Sequence, residues 1–269
     1  MIDVDMHTDN SSQSLKPLNL GGSALLFGIP AIILVLSYYI FTPWIESKGM
    51  PPFQAYLTAT ALPLALMLAA AIFAYTRIER NPLNRAAFAK RMRYPKLRWR
   101  DVLWGIGITI SGMIGIAVFG GVSRYLIGAG LIPLSDRIPA ALNPLINSND
   151  PAVLAELTGG ALKGNWGLVA LYAVTFFFNI VGEELWWRGY ILPRQELIHG
   201  RWTWVIHGVM WCLFHVFKYW DLLSLLPVCL LIAFSAQRLK SNWAGLIAHA
   251  LINGLGVLGI LLLVVGVAP

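Results

Sequence analysis

Charged residues are scarce in this sequence. Asp, Glu, Lys and Arg make up 12% of its 269 residues, and hydrophobic residues make up 57%. A soluble domain carries about 25% charged residues, so a soluble globular protein is excluded. With a mean hydropathy of +0.66, the composition is that of a polytopic membrane protein. The net charge of +7 would suit nucleic-acid binding in a soluble chain. In a membrane protein, basic residues instead gather in cytoplasmic loops and face anionic lipid, so no nucleic-acid partner is expected. Cysteine is nearly absent. Cys212 and Cys229 lie in apolar stretches, which excludes a disulfide framework or a paired-thiol metal site and leaves them as small packing residues. The N-terminus is polar and acidic rather than basic, so the first apolar run reads as an uncleaved span behind a tail, not a cleaved signal. No HExxH helix is present, which removes the usual zinc-protease signal. No Ser, Thr or Cys stands beside a base as a covalent nucleophile would.

Long apolar runs are what the sequence does have. Seven of them, at 20–42, 54–76, 102–128, 166–188, 202–217, 221–236 and 243–266, predict an all-α transmembrane bundle of about seven spans. The fifth and sixth are short, and Lys218 and Asp221 between them suggest a closely linked hairpin. Residues 129–165 are rich in Pro, Asn and Gly, which predicts a loop with short helical turns and room for an eighth helix. In the third span, Gly107, Ser111 and Gly115 at i, i+4, i+8 predict a small-residue packing face. The chain thus divides into a polar tail (1–19), N-terminal helices (20–128) containing a basic linker (77–101), a loop region (129–165) and a helical core (166–269). With the N-terminus inside, fifteen of the 20 Lys and Arg fall on the inner side, nine of them between Arg77 and Arg100, with Arg188 also counted there. This follows the positive-inside rule. It predicts a cytoplasmic N-terminus, a plasma-membrane location in a prokaryotic host, and anionic headgroups against residues 77–100.

Ionisable groups cluster in the later spans. Glu184 and Arg188 are four apart and in the favourable order for a helical ion pair. Glu183, rotated about 100° from its twin, has no evident local partner. His249 and Asn253 are also four apart and share a face, so they can bond between helices or polarise a carbonyl. His215 lies among aromatics. His207 is a weaker candidate, and His199 and His7 read as loop and tail residues. A Glu and a His can together activate water, so the set points to hydrolysis without a covalent intermediate. Trp186 and Trp187 pack a wall or mark the membrane interface; periodicity leaves both open.

Glu183-Glu184-x-x-x-Arg188, then Trp211-x-x-x-His215, then His249-x-x-x-Asn253 resembles the CAAX protease and bacteriocin-processing (Abi) family of intramembrane glutamate-dependent endopeptidases. The resemblance covers roughly residues 166–260. It implies Glu183 as general base, His215 as its partner in activating water, and His249 with Asn253 as the oxyanion site. Glu184 and Arg188 would organise the motif helix. It implies no cofactor or metal, and a peptide or membrane-protein substrate entering a cavity open to the cytoplasmic side. Trp211 and Trp187 stand where the family often has Phe, and their rings are expected to fill the same space.

One expectation strains the rest. A span ending at 188 puts Glu183 at the inner edge, whereas His215 lies roughly 20 Å deeper at 1.5 Å per residue. The two meet only if the motif helix runs on past Gly189 to Arg194 or beyond, although Pro193 argues for a kink or break there. The competing readings are a proton-coupled transporter using the same buried groups, a non-catalytic immunity or scaffold protein, and a metal-dependent hydrolase using His207, His215 and His249.

Overall fold

The computed structural model describes residues 15–147 and 150–267, so His7 and most of the polar tail lie outside the described residues. Among the described residues, all regular structure is helical. The helices are α1 (Leu20–Glu46), α2 (Pro52–Ile78), α3 (Arg85–Arg91), α4 (Trp99–Gly128), α5 (Pro151–Thr158), α6 (residues 166–199), α7 (Thr203–Phe214), α8 (Leu222–Leu239) and α9 (Trp243–Val265). Five stretches among the described residues are long and apolar enough to cross a membrane, one of them running through α6, α7 and α8. The protein is an integral membrane helical bundle. Residues 129–165 form a 3-10 turn at Ala140–Leu142 and the short α5. The α7–α8 junction is a 3-10 stretch, His215–Asp221, kinked at Lys218.

The motif helix does continue past Gly189, unbroken to His199, and Pro193 does not end it. The backbone widens into π turns at Phe178–Gly182 and Glu184–Ile191, a form frequent at functional sites that also occurs here at Ser37–Phe41 and Ala74–Ile78. Glu183 therefore sits near the middle of α6, and the conflict over depth disappears.

Prolines inside helices have a second consequence. Each removes an N–H and leaves the carbonyl four residues earlier without its helical partner, which is costly in hydrocarbon unless another group takes it. At Pro30, Pro63 and Pro193 neighbouring segments supply the donors. Pro30 frees Leu26 O, which accepts from Trp186 Nε1 at 3.4 Å. Pro63 frees Ala59 O, which accepts from Ser37 Oγ. Pro193 frees Gly189 O, which accepts from Arg91 Nη1 at 2.8 Å. The breaks thus dock α1 on α6, α2 on α1, and the basic linker on α6. Trp186 is thereby a docking residue, not an interface marker.

The small-residue face of α4 is not the one expected. Gly107 and Ser111 point outward, and a Cβ at Gly107 would meet nothing. The buried face carries Gly105, Ile108 and Gly112, and only Gly115 of the expected three touches α8, at Pro227. Small residues occur on two adjacent stripes of α4, and packing against α8 and α9 selects the other one.

The basic linker also does more than face lipid. Arg91 Nε donates to Glu79 at 2.6 Å, and Arg194 pairs with the same carboxylate. Arg93 binds Glu196 through two bonds of 2.8 Å, and Lys240 joins them. Met92 is fully buried, with its carbonyl accepting from Asn242 Nδ2 at 2.8 Å. Two carboxylates and four cations thus close this end of the bundle, while Arg77, Arg80, Arg85, Lys90, Lys96 and Arg100 stay exposed. Arg188, counted above with the inner loops, lies wholly inside the bundle.

Candidate functional site

The site forms where α6, α7 and α9 cross near mid-bundle. Close approach is needed there, and glycine permits it. A Cβ at Gly182 would lie 2.8 Å from Leu64 O of α2, and one at Gly245 would lie 3.2 Å from Glu184 Oε2.

Glu183 is buried, and the expectation that it lacks a local partner is wrong. Its Oε1 accepts from Asn179 Nδ2 at 2.6 Å; its Oε2 accepts from Trp187 Nε1 at 3.2 Å and Trp211 Nε1 at 2.8 Å. Asn179 and Trp187 lie four residues to either side on its own helix. The two indoles therefore do more than fill the space of a phenyl ring. Asn179 was not singled out from the sequence, although it is the only amide in the apolar run preceding the motif.

Glu184 and Arg188 pair as expected, with Oε1 to Nη1 at 3.4 Å and both side chains fully buried. Glu184 has a further partner that helical spacing does not reveal: Oε1 lies 3.0 Å from His249 Nδ1. An ionised carboxylate only accepts, so Nδ1 carries a proton. The Arg188 guanidinium lies 3.4 Å from the centre of the Trp211 ring, which gives it the quadrupole attraction of a cation over a π face.

His215 Nδ1 donates to Trp211 O at 2.8 Å. A carbonyl also only accepts, so this bond fixes the tautomer and leaves the Nε2 lone pair free. Asn253 donates one amide N–H to His249 O at 3.2 Å, and its second remains. His207 stands apart: its Nδ1 meets Gln195 Oε1 at 2.7 Å and its ring abuts Phe27. It does not line the cavity described next, so no site combines His207 with His215 and His249.

A cavity of about 160 Å³ is lined by Glu183, Trp211, His215, His249 and Asn253 together. Beyond them its walls include Tyr38, Tyr56, Tyr172 and Lys218. Tyr56 and Tyr172 lie near the starts of α2 and α6, the ends remote from the basic linker. The other end is filled by Met92, Ile191, Leu192, Gln195 and Asn242, all fully buried. The cavity therefore extends away from the linker, not toward it as expected. Cys229 forms part of its wall, and Cys212 Sγ donates to Leu222 O at 3.2 Å, so both thiols are packed as read.

One carboxylate, two imidazoles and two amides line a cavity within this membrane-spanning bundle, which makes the protein an integral membrane protein with a buried polar site. Residues 165–255, which carry all three motifs, match the family model described as type II CAAX prenyl endopeptidase Rce1-like. That part of the chain is similar to this family, and the likeness suggests a protease. Comparison with curated proteins and with solved structures gave no match.

Proposed function

We propose that this protein is an intramembrane, metal-independent endopeptidase that hydrolyses a peptide bond by water activated between Glu183 and His215. The reading rests on one observation: four groups from three helices, Glu183, His215, His249 and Asn253, line a single cavity. Glu183 accepts a proton from water oriented by His215 Nε2. The hydroxide attacks the peptide carbonyl, and Glu183 then passes the proton to the leaving amine. His249 and Asn253 donate to the oxyanion. Because Nδ1 of His249 is committed to Glu184, it can donate from Nε2 only as the imidazolium, and the Glu184 carboxylate offsets that charge.

Purified protein in lipid nanodiscs should cleave an internally quenched farnesylated CAAX peptide, with chelators leaving the rate unchanged. H249A should lower kcat/KM about 10²–10³-fold, as loss of an oxyanion donor does, with N253A acting in the same direction. Proton-coupled uptake into proteoliposomes without cleavage would favour the transporter. Neither activity would favour a non-catalytic scaffold.

The substrate is a peptide or a membrane-protein segment. The exposed cations of the linker favour anionic headgroups and the cytoplasm, which makes the N-terminus cytoplasmic and, in a prokaryote, the plasma membrane the host. The cavity then faces the outer side. A K218C variant tests this: an impermeant maleimide should label it on intact cells, and labelling only after lysis would reverse the orientation.

A further inference from the structure

We infer that Trp187, Trp211 and Asn179 form a neutral donor clamp that holds Glu183 as a carboxylate and selects Oε1 as its proton-accepting atom. The inference deepens the peptidase reading given above and rests on it for the identity of the reaction, but the clamp itself is a matter of geometry.

A carboxylate oxygen offers about two lone-pair directions. On Oε2 both are taken, by the indole N–H groups of Trp187 and Trp211. On Oε1 one is taken, by Asn179. Only Oε1 retains a place for the hydrogen of a water, so the proton removed from that water forms its new O–H bond there. The new hydroxide keeps the electron pair of the broken bond. Oε2 stays hydrogen-bonded throughout and fixes the plane of the carboxyl group.

The three donors are uncharged, so they favour the carboxylate without adding a formal charge to the cavity. The charged and titratable groups around Glu183 come from every packed element. Glu184 and Arg188 share its helix, with Arg188 turned to Glu184 and the Trp211 ring. His215 and Lys218 follow α7, and His249 lies on α9. Tyr38, Tyr56 and Cys229 face it from α1, α2 and α8. The three hydrogen bonds to the Glu183 carboxylate come from none of these groups, so the clamp is separable from them by substitution.

Phenylalanine is the discriminating replacement. W211F keeps a ring beneath the Arg188 guanidinium, and W187F keeps one against Phe27, whose ring now stacks on Trp187 at 4.3 Å. Each variant removes one N–H together with part of the indole ring, and the titration separates the two effects because lost packing alone does not move the acid limb. The first measurement is infrared titration in nanodiscs, with the acid C=O band of Glu183 identified by its loss in E183Q. Hydrogen bonds to a charged group typically correspond to a shift of about one to two pH units when removed. The band should therefore appear at higher pH in W211F, by less in W187F, whose bond is longer, and by most in the double variant. The second measurement is the pH profile of kcat/KM on the quenched farnesylated peptide. Its acid limb should move upward with the band.

If the band in the double variant titrates where it does in wild type, the tryptophans only pack and the clamp is wrong. If the plateau falls and the acid limb does not move, the effect is structural and the clamp is again wrong. If the band shifts but the wild type cleaves no peptide, the peptidase reading fails and the clamp stands.

Discussion

Glu183→Gln should lower kcat/KM on the quenched peptide by about 10³–10⁴-fold, the upper part of what a positioned general base contributes. The substitution is nearly isosteric, and the three donors around the side chain remain. The amide oxygen introduced by E183Q can still accept from Trp187 and Trp211, and Asn179 can turn its own amide to meet the new N–H. The fold and membrane insertion should thus survive, so the loss falls on chemistry. The check pairs steady-state kinetics with a thermal melt of the same nanodisc sample. A folded, inserted E183Q protein retaining full peptidase activity would falsify the assignment of Glu183 as base.

The largest effect on stability should come from Arg188→Met. Arg188 and Glu184 are both fully buried, and the nearest pair of charged atoms is 3.4 Å apart. Nε, Nη1 and Nη2 of Arg188 have no hydrogen-bond partner among the described residues, so its stabilisation comes from Glu184 and from the Trp211 ring. Removing one member of a buried pair leaves the other charge uncompensated, at a cost of about 3–5 kcal/mol. The R188M/E184Q double variant should recover most of that loss, because neither charge is then left behind. R188K should not, since a compact ammonium cannot spread over the indole face as the planar guanidinium does. Thermal midpoints of the three variants decide this. If R188M alone melts with wild type, the pair does not hold the motif helix in place.

Much of the site was legible because it is local. The i, i+4 spacing of Glu184 and Arg188 states an ion pair on any helix, and the same spacing puts His249 beside Asn253. The clamp was legible in part. Asn179 and Trp187 flank Glu183 at the same interval, but an amide and an indole in an apolar run look like packing until their N–H groups are seen to point at a carboxylate. Pro193 was misleading for a related reason. It removes a helical hydrogen bond, and a π turn with a donor from Arg91 accommodates that loss only because the linker folds back beneath α6.

Composition and hydrophobic runs by themselves determined that this is an all-helical membrane protein, and motif order determined which helices carry its ionisable groups. Both follow from the short range of the rules involved: hydrocarbon requires helices, and helical pitch fixes which residues share a face. Only the tertiary structure decided that Glu184 serves His249 as well as Arg188, that Trp211 donates to Glu183, which stripe of α4 is buried, and that the cavity extends away from the basic linker. Each of those depends on the rotation and depth of one helix against another. Those are set by close contacts such as Gly182 against Leu64 and by the carbonyls that prolines expose, and no periodicity within a single helix encodes them.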